Sequence, residues 1–426
     1  MTDVNAQDPS EARGASQPPR RPFVGVALAG GAAQGAIYEI GALRALDEAL
    51  VGFSLNHAGI YVGVSAGGFL SACLANQLTT AQMCRAIVKR EPGEHPFVPE
   101  IFFQPALKEI GRRLAKAPGL LGTAIRSYVT RREKRLLDAL TGLGRALPVG
   151  IFDNESVREY VEKIFSRPGR SDDFRQLERK LAIVTTDIES GEAAVWGTPG
   201  YDHVPISKAV QATTALPGLY PPVEIEGRCY VDGVLLKTMH ASVALDAGAD
   251  VVFCINPVVP VDTREAERRH ELEAGHLIRQ GLPSVLAQTV RTLIHSRMAL
   301  GLRAYDERYP GASVVLIEPR RDDHEIFFSN IFSFSSRRTV CERAYQATRR
   351  HLRDRYDELA PLLARHGIGL NRRFLDDEER SVWVSVGLPE LSENGPPRPD
   401  DAATLAELGD LLERVEALAA ERAAAG

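Results

Sequence analysis

Cysteine is scarce in this chain and scattered. The five cysteines among 426 residues (Cys73, Cys84, Cys229, Cys254 and Cys341) are odd in number, with no pair at metal-ligand spacing. That excludes a disulfide framework and fits reduced thiols, so a cytoplasmic setting is expected. Long apolar runs are absent too. Nowhere do about 18 apolar residues follow one another, so no membrane-spanning helix is expected. The first 21 residues, MTDVNAQDPSEARGASQPPRR, lack an apolar segment. They read as a disordered leader and not as a secretory signal. A strong charge of either sign is missing: the net charge of -5 offers nothing to a nucleic acid. There is no internal repeat. What remains is ordinary for a globular protein, 44% apolar and 25% charged.

The folded part opens with FVGVALAGG (23–31), a β-branched apolar run stopped by glycines, hence a buried strand. AIYEIGALRALDEAL (36–50) has apolar residues at helical spacing. GIYVGVS (59–65) reads as a second buried strand, and AGGFLSACLANQL follows as a helix. Strand, glycine turn, helix, strand, serine turn, helix is a βαβα start, which predicts a parallel sheet covered by helices. Further strands are expected at 180–188, 192–197, 229–234, 250–257 and 313–319. The charged stretch 260–276 is expected to be a surface loop or helix.

Two turns carry chemistry. In YVGVSAGG, Ser65 lies between Gly63 and Gly67, after a strand and before a helix. A turn that tight needs flanks without side chains, and the helix beginning there offers N–H groups and a positive dipole end. The earlier turn, ALAGGAAQGA, places Gly30 and Gly31 between a strand and a helix. Successive N–H groups there suit an anion. A nucleotide phosphate loop is one reading. Against it, Ala32 occupies the third glycine position and no GK[ST] follows. The other reading is an oxyanion hole facing a serine attack.

A serine nucleophile needs a base. In the α/β-hydrolase order the serine follows a fifth strand, and here it follows the second that is legible, too early for that fold. Asp232, at the end of the apolar strand in RCYVDGVLL, is one candidate base; its bland reading is a turn aspartate. His240, a little further on, is the other.

These motifs together resemble the patatin-like phospholipases: a glycine-rich oxyanion loop, a G-x-S-x-G turn, and a D-G acid that forms a Ser–Asp dyad without histidine. The quoted segments are LAGGAAQGAIYEIGALRAL, YVGVSAGG and YVDGV, with ISKAVQATTALPGLYPPVEIEGRCYVDG (206–233) supplying an Ala-rich helix and a Pro217–Pro221 turn. The strand pair IVTTDIESGEAAVWG (183–197) is similar as well, and the likeness runs from about 23 to 257. The resemblance implies an α/β fold, a mainly parallel sheet in a three-layer α/β/α arrangement, with a helical cap and a C-terminal helical tail. It implies Ser65 as nucleophile, Asp232 as base, and backbone donors at Gly30, Gly31, Ala32 and Ala33 for the oxyanion. Gly35, Gly63, Ala66, Gly67 and Gly233 support the turns, the Ala66 N–H as a further donor. Neither metal nor organic cofactor is implied. The departures are Ala32 for glycine, Gln34 for the usual basic residue, Val234 after Gly233 for a small residue, and His240 where proline is common.

The implied activity is a serine hydrolase of phospholipid, lysophospholipid or acylglycerol esters. An acyltransferase with the same dyad, or a catalytically weak lipid-binding module, is the alternative. Organisation is expected as a leader (1–21), a hydrolase domain (22–350) with a cap at about 97–150, an extension (351–393), a linker (394–401) and a helix (402–423). Between 101 and 150, ten Lys and Arg stand against three acids, with Leu and Ile interleaved. That is either a solvated face or a basic amphipathic cap for anionic membrane at the inner face of the bilayer. Leu405, Leu408, Leu412, Val415 and Ala419 at 3-4 spacing suggest a short seam between subunits.

Overall fold

The computed structural model describes residues 22–88, 104–106, 149–237, 239–328 and 334–388. The leader, the linker, the 402–423 helix and nearly all of the basic 101–150 segment lie outside the described residues.

The chain opens as the apolar pattern predicts. β1 (Val24–Leu28) runs into α1 (Ala32–Ala49); β2 (Leu50–Val51) is a short excursion; β3 (Ile60–Gly63) runs into α2 (Ala66–Ala75), and α3 (Thr80–Val88) follows. After the basic segment come α4 (Glu155–Phe165), β4 (Lys180–Asp187), β5 (Ala193–Trp196), α5 (Ile206–Thr213), β6 (Val223–Ile225), β7 (Arg228–Asp232), α6 (Ala241–Asp246) and β8 (Val251–Ile255). The charged stretch holds α7 (Arg264–Arg268), then α8 (His276–Arg279) and the long α9 (Leu282–Arg308). β9 (Ser313–Ile317) precedes α10 (His324–Phe328), α11 (Phe334–Asp354), α12 (Tyr356–Ala364), β10 (Gly369–Leu370), α13 (Arg372–Asp376) and α14 (Val382–Ser385).

Eight strands form one sheet in the order β6-β7-β4-β3-β1-β8-β9, with β5 also paired to β4. β4, β3, β1, β8 and β9 are parallel; β5 and β7 pair antiparallel with β4, and β6 with β7. Its central strands are apolar on both faces, as a sheet covered on both sides requires. Along β1, Val24, Val26 and Leu28 join a core with α1, α2 and α11. Ala27 and Ala29 face the other side, where α6 and the inner face of α9 pack. The fold is therefore a mostly parallel sheet between two helical layers, as expected. A second, two-stranded sheet pairs β10 with β2. Ser65 thus follows the third strand in the chain, though only the second of the main sheet; the intervening β2 is too short to leave a pattern.

The register of β4 decides the geometry of the site. Gly63 lies opposite Ile183, and Asp232 lies opposite Thr185. Ile183 also pairs with Trp196, and Thr185 with Ala194, both of β5. One edge of β4 is taken by β5, so β3 and β7 share the other edge. They run toward each other and stop tip to tip. Just past the end of β3 comes the Ser65 turn, and the last residue of β7 is Asp232.

Helix α11 runs through residues 350 and 351, and the segment beyond it packs into the main core through Leu359, Leu363, Phe374 and Trp383. At the start of the basic segment, Gln104–Ala106 is tied to Ile151 and Asp153 by backbone hydrogen bonds.

Candidate active site

Ser65 sits between β3 and α2 with φ 55° and ψ −129°, a left-handed conformation that a non-glycine residue adopts only when its surroundings impose it. The surroundings are identifiable. The Ser65 N–H donates to Thr213 Oγ1 at 2.9 Å, and the Thr213 hydroxyl donates onward to the Val184 carbonyl at 2.5 Å. Gly67 N–H donates to the Ala29 carbonyl at 3.0 Å. A Cβ on Gly67 would overlap that oxygen, which is why the second glycine of the motif is required there.

The glycine-rich loop lies against this turn. A Cβ on Gly30 would stand 3.0 Å from the Ser65 Cβ and 3.5 Å from its Oγ, so the loop backbone passes beside the hydroxyl. Gly31 has φ 149°, and a Cβ there would press on Gly35 and on the Pro257 ring. Gly35 N–H donates to the Gly31 carbonyl at 2.7 Å, the first bond of α1. The N–H groups of Ala32, Ala33 and Gln34 belong to the first turn, which has no intrahelical acceptors for them. Ala32 itself has φ 52°, so alanine stands where the backbone has a glycine conformation. Gln34 turns away from the loop and donates its side-chain amide to the Ile326 carbonyl.

Asp232 is 1% exposed. Its Oδ1 accepts from the Val234 N–H at 2.9 Å, and the Ser65 side chain is close enough to favour its charged form. Burial is the dominant influence and pushes the carboxyl up to about 7; the Val234 N–H and the nearby Ser65 hydroxyl pull the other way. Gly233 is close-packed on the Val184 carbonyl, and Val234 faces Gly30.

His240 caps the start of α6. It lies near the backbone of Gly233 and Lys237, and burial drives its ring down to about 4, so it is neutral. Its Nε2 meets no partner among the described residues. It supports the turn after Asp232 and makes no recorded contact with Ser65.

The structure thus brings together Ser65, Asp232, Gly30, Gly31, Ala32, Ala33 and the Ala66 end of α2, and leaves Gln34 and His240 outside. Thr213 is the site residue that sequence reasoning missed. A threonine at a helix end carries no pattern, and its partners at 65 and 184 are remote in sequence. No cluster of three or more metal-ligating side chains exists among the described residues.

A mostly parallel α/β/α sandwich with a strained serine on a strand–helix turn, set beside a buried aspartate, defines the class of fold. The patatin-like phospholipase family model matches residues 26–245, just over half of the chain, and the protein belongs to that family. Uncharacterised NTE family proteins of Mycobacterium bovis and Mycobacterium tuberculosis are 25% identical over 175 residues, 41% of this chain and 41% of theirs. The chain therefore spans about two fifths of these curated relatives. Among solved structures, VipD from Legionella pneumophila matches 78% of this chain and 67% of its own, at 13% identity and TM-score 0.34. The type III effector ExoU of Pseudomonas aeruginosa matches 79% and 54%, at 17% identity and the same TM-score.

Proposed function

We propose that this protein hydrolyses carboxylic esters of lipids, phospholipid, lysophospholipid or acylglycerol, through Ser65 and Asp232. The observation that carries the reading is the placing of the strained Ser65 turn beside a buried carboxylate whose proton affinity is raised into the neutral range. A base poised near the working pH both accepts and returns a proton readily.

Asp232 takes the Ser65 proton as Oγ attacks the ester carbonyl. The tetrahedral oxyanion forms against the N–H groups of Gly31, Ala32 and Ala33, with the Ala66 N–H opposite. These are the starts of α1 and α2, whose dipoles both favour negative charge. Protonated Asp232 then gives its proton to the departing alcohol, leaving an acyl-serine. Water, deprotonated by Asp232, attacks the acyl carbon, and Oγ leaves with the proton. Every donor in this scheme belongs to the backbone, so Gln34 in place of a basic residue removes no donor from it.

The test is hydrolysis of a soluble p-nitrophenyl ester and of mixed-lipid vesicles, with released products identified by mass spectrometry. Ser65→Ala is expected to abolish both activities and the labelling by a fluorophosphonate probe, with circular dichroism unchanged. Asp232→Asn should be nearly as damaging, since an amide accepts no proton. Wild-type turnover by the Ser65→Ala protein would overturn the reading.

A further inference from the structure

Helix α9 is exposed along most of its length, yet its outer face is apolar. Leu282, Leu286, Leu293 and Leu300 are each more than half exposed, at 69%, 53%, 61% and 67%. Val290 completes the stripe at 44%. A solvated helix of this length ordinarily carries both signs of charge on its outer face. From His276 to Tyr305 the chain holds not one Asp or Glu; of its arginines, Arg279 of α8 pairs with Glu273 and Arg291 lies over the Phe327 ring, while Arg297 and Arg303 are exposed on α9. The helix is anchored beside the site: Ile294 and Met298 pack into the core that contains Val234 and Met239, and Arg297 donates to the Leu235 carbonyl at 3.1 Å. Leu235 follows Asp232 by three residues and is itself exposed.

We propose that α9 is the surface by which the protein docks on an anionic lipid bilayer, its leucines entering the acyl boundary and its arginines meeting the headgroups. This rests on the lipid-ester reading for its purpose, because docking here brings the mouth beside Leu235 to the interface where those esters lie. Charge decides the occupant. A second copy laid on this face would bring Arg297 and Arg303 against a leucine stripe that carries no carboxylate before Asp306 near its end, whereas anionic headgroups pair them directly. The apolar stripe supplies the other half of interfacial binding, which for basic amphipathic helices scales with buried apolar area plus attraction to anionic lipid.

The test is flotation with vesicles of phosphatidylcholine alone and of phosphatidylcholine with about one third phosphatidylglycerol. All proteins carry Ser65→Ala, so that binding is read without turnover. The parent should float with the anionic vesicles and lose most of that binding in high salt. Leu286→Ser/Leu293→Ser/Leu300→Ser should weaken it about tenfold or more, and Arg297→Gln/Arg303→Gln by a similar factor. In the otherwise wild-type chain, the triple variant should hydrolyse a soluble ester normally. A Leu293→Trp variant should gain fluorescence quenched by brominated acyl chains. Binding of the triple variant within about twofold of the parent overturns the proposal. So does a wild-type protein that is dimeric without lipid and becomes monomeric in the triple variant, which assigns the face to a second copy. Absence of soluble-ester and lipid hydrolysis in the wild-type protein would sink the hydrolase reading and leave the vesicle result standing.

Discussion

At Asp232 burial works against the charge that the proposed chemistry needs, and the balance falls at about 7. Hydrolysis of a soluble ester should therefore rise with pH through that region, as the carboxylate form fills; a flat profile from pH 5 to 9 would rule out Asp232 as the base. The same shift has a cost in stability. The folded state holds the proton more tightly than the unfolded chain, whose aspartate titrates near 3.8. The unfolded state loses its proton first as pH rises, so stability falls between the two values. Asp232→Asn removes the buried charge, so its gain in Tm over wild type should be larger at pH 8 than at pH 5. Differential scanning fluorimetry at the two values checks this, and equal shifts would mean that Asp232 is not desolvated as described. His240→Ala should leave turnover within a few-fold of wild type, because the ring is neutral and lies near the Gly233–Lys237 turn. Ser65 and Asp232 were legible in the sequence because glycines at fixed offsets mark where a side chain is impossible. Asp232 and His240 were left as rival bases there, since sequence gives neither burial nor direction. Thr213 was not legible at all.

Two helices and a strand edge hold the Ser65 turn, and each contact can be broken separately. Gly67→Ala drives a methyl into the Ala29 carbonyl, where the obstacle is backbone and cannot swing aside. It should destabilise by about 3 kcal/mol or more, or prevent soluble expression, by the mechanism of an overpacked core. Thr213→Val keeps the shape and removes the hydroxyl between Ser65 N–H and Val184 carbonyl. Leaving those two backbone groups without that partner should cost about 1–3 kcal/mol in urea unfolding. Turnover should fall through kcat with KM little changed, because Thr213 holds the serine turn and touches no substrate. A Thr213→Val enzyme with wild-type kcat would show that the turn keeps its conformation unaided. The long parallel strands and α1 were readable from apolar runs and helical spacing. β2, β6 and β10, of two or three residues, are too short to repeat any period, and only pairing partners define them. That β3 and β7 meet on one edge of β4 depends on register, which no single segment encodes.

The residues after α11 belong to the same core as the main sheet. Trp383 is fully enclosed, with the Arg338 guanidinium 4.8 Å from its ring centre, and β10 pairs with β2 directly after α1. Trp383→Ala should cost about 3–5 kcal/mol and lower the single unfolding transition as a whole. A separate early transition with the ester-hydrolysing unit intact would show instead that the C-terminal segment melts alone. The tip-to-tip meeting of β3 and β7 has a consequence for how such a protein is made. Synthesis delivers the nucleophilic turn early and the acid much later, and the sheet edge that aligns them is a third segment made in between. β1, central to the sheet, gains its second neighbour only when β8 emerges, after the acid. Until β7 is made, a nascent chain displays its serine without a proton acceptor. On the proposed mechanism, an enzyme able to damage the membranes around it is inert until synthesis has passed Asp232 and β8.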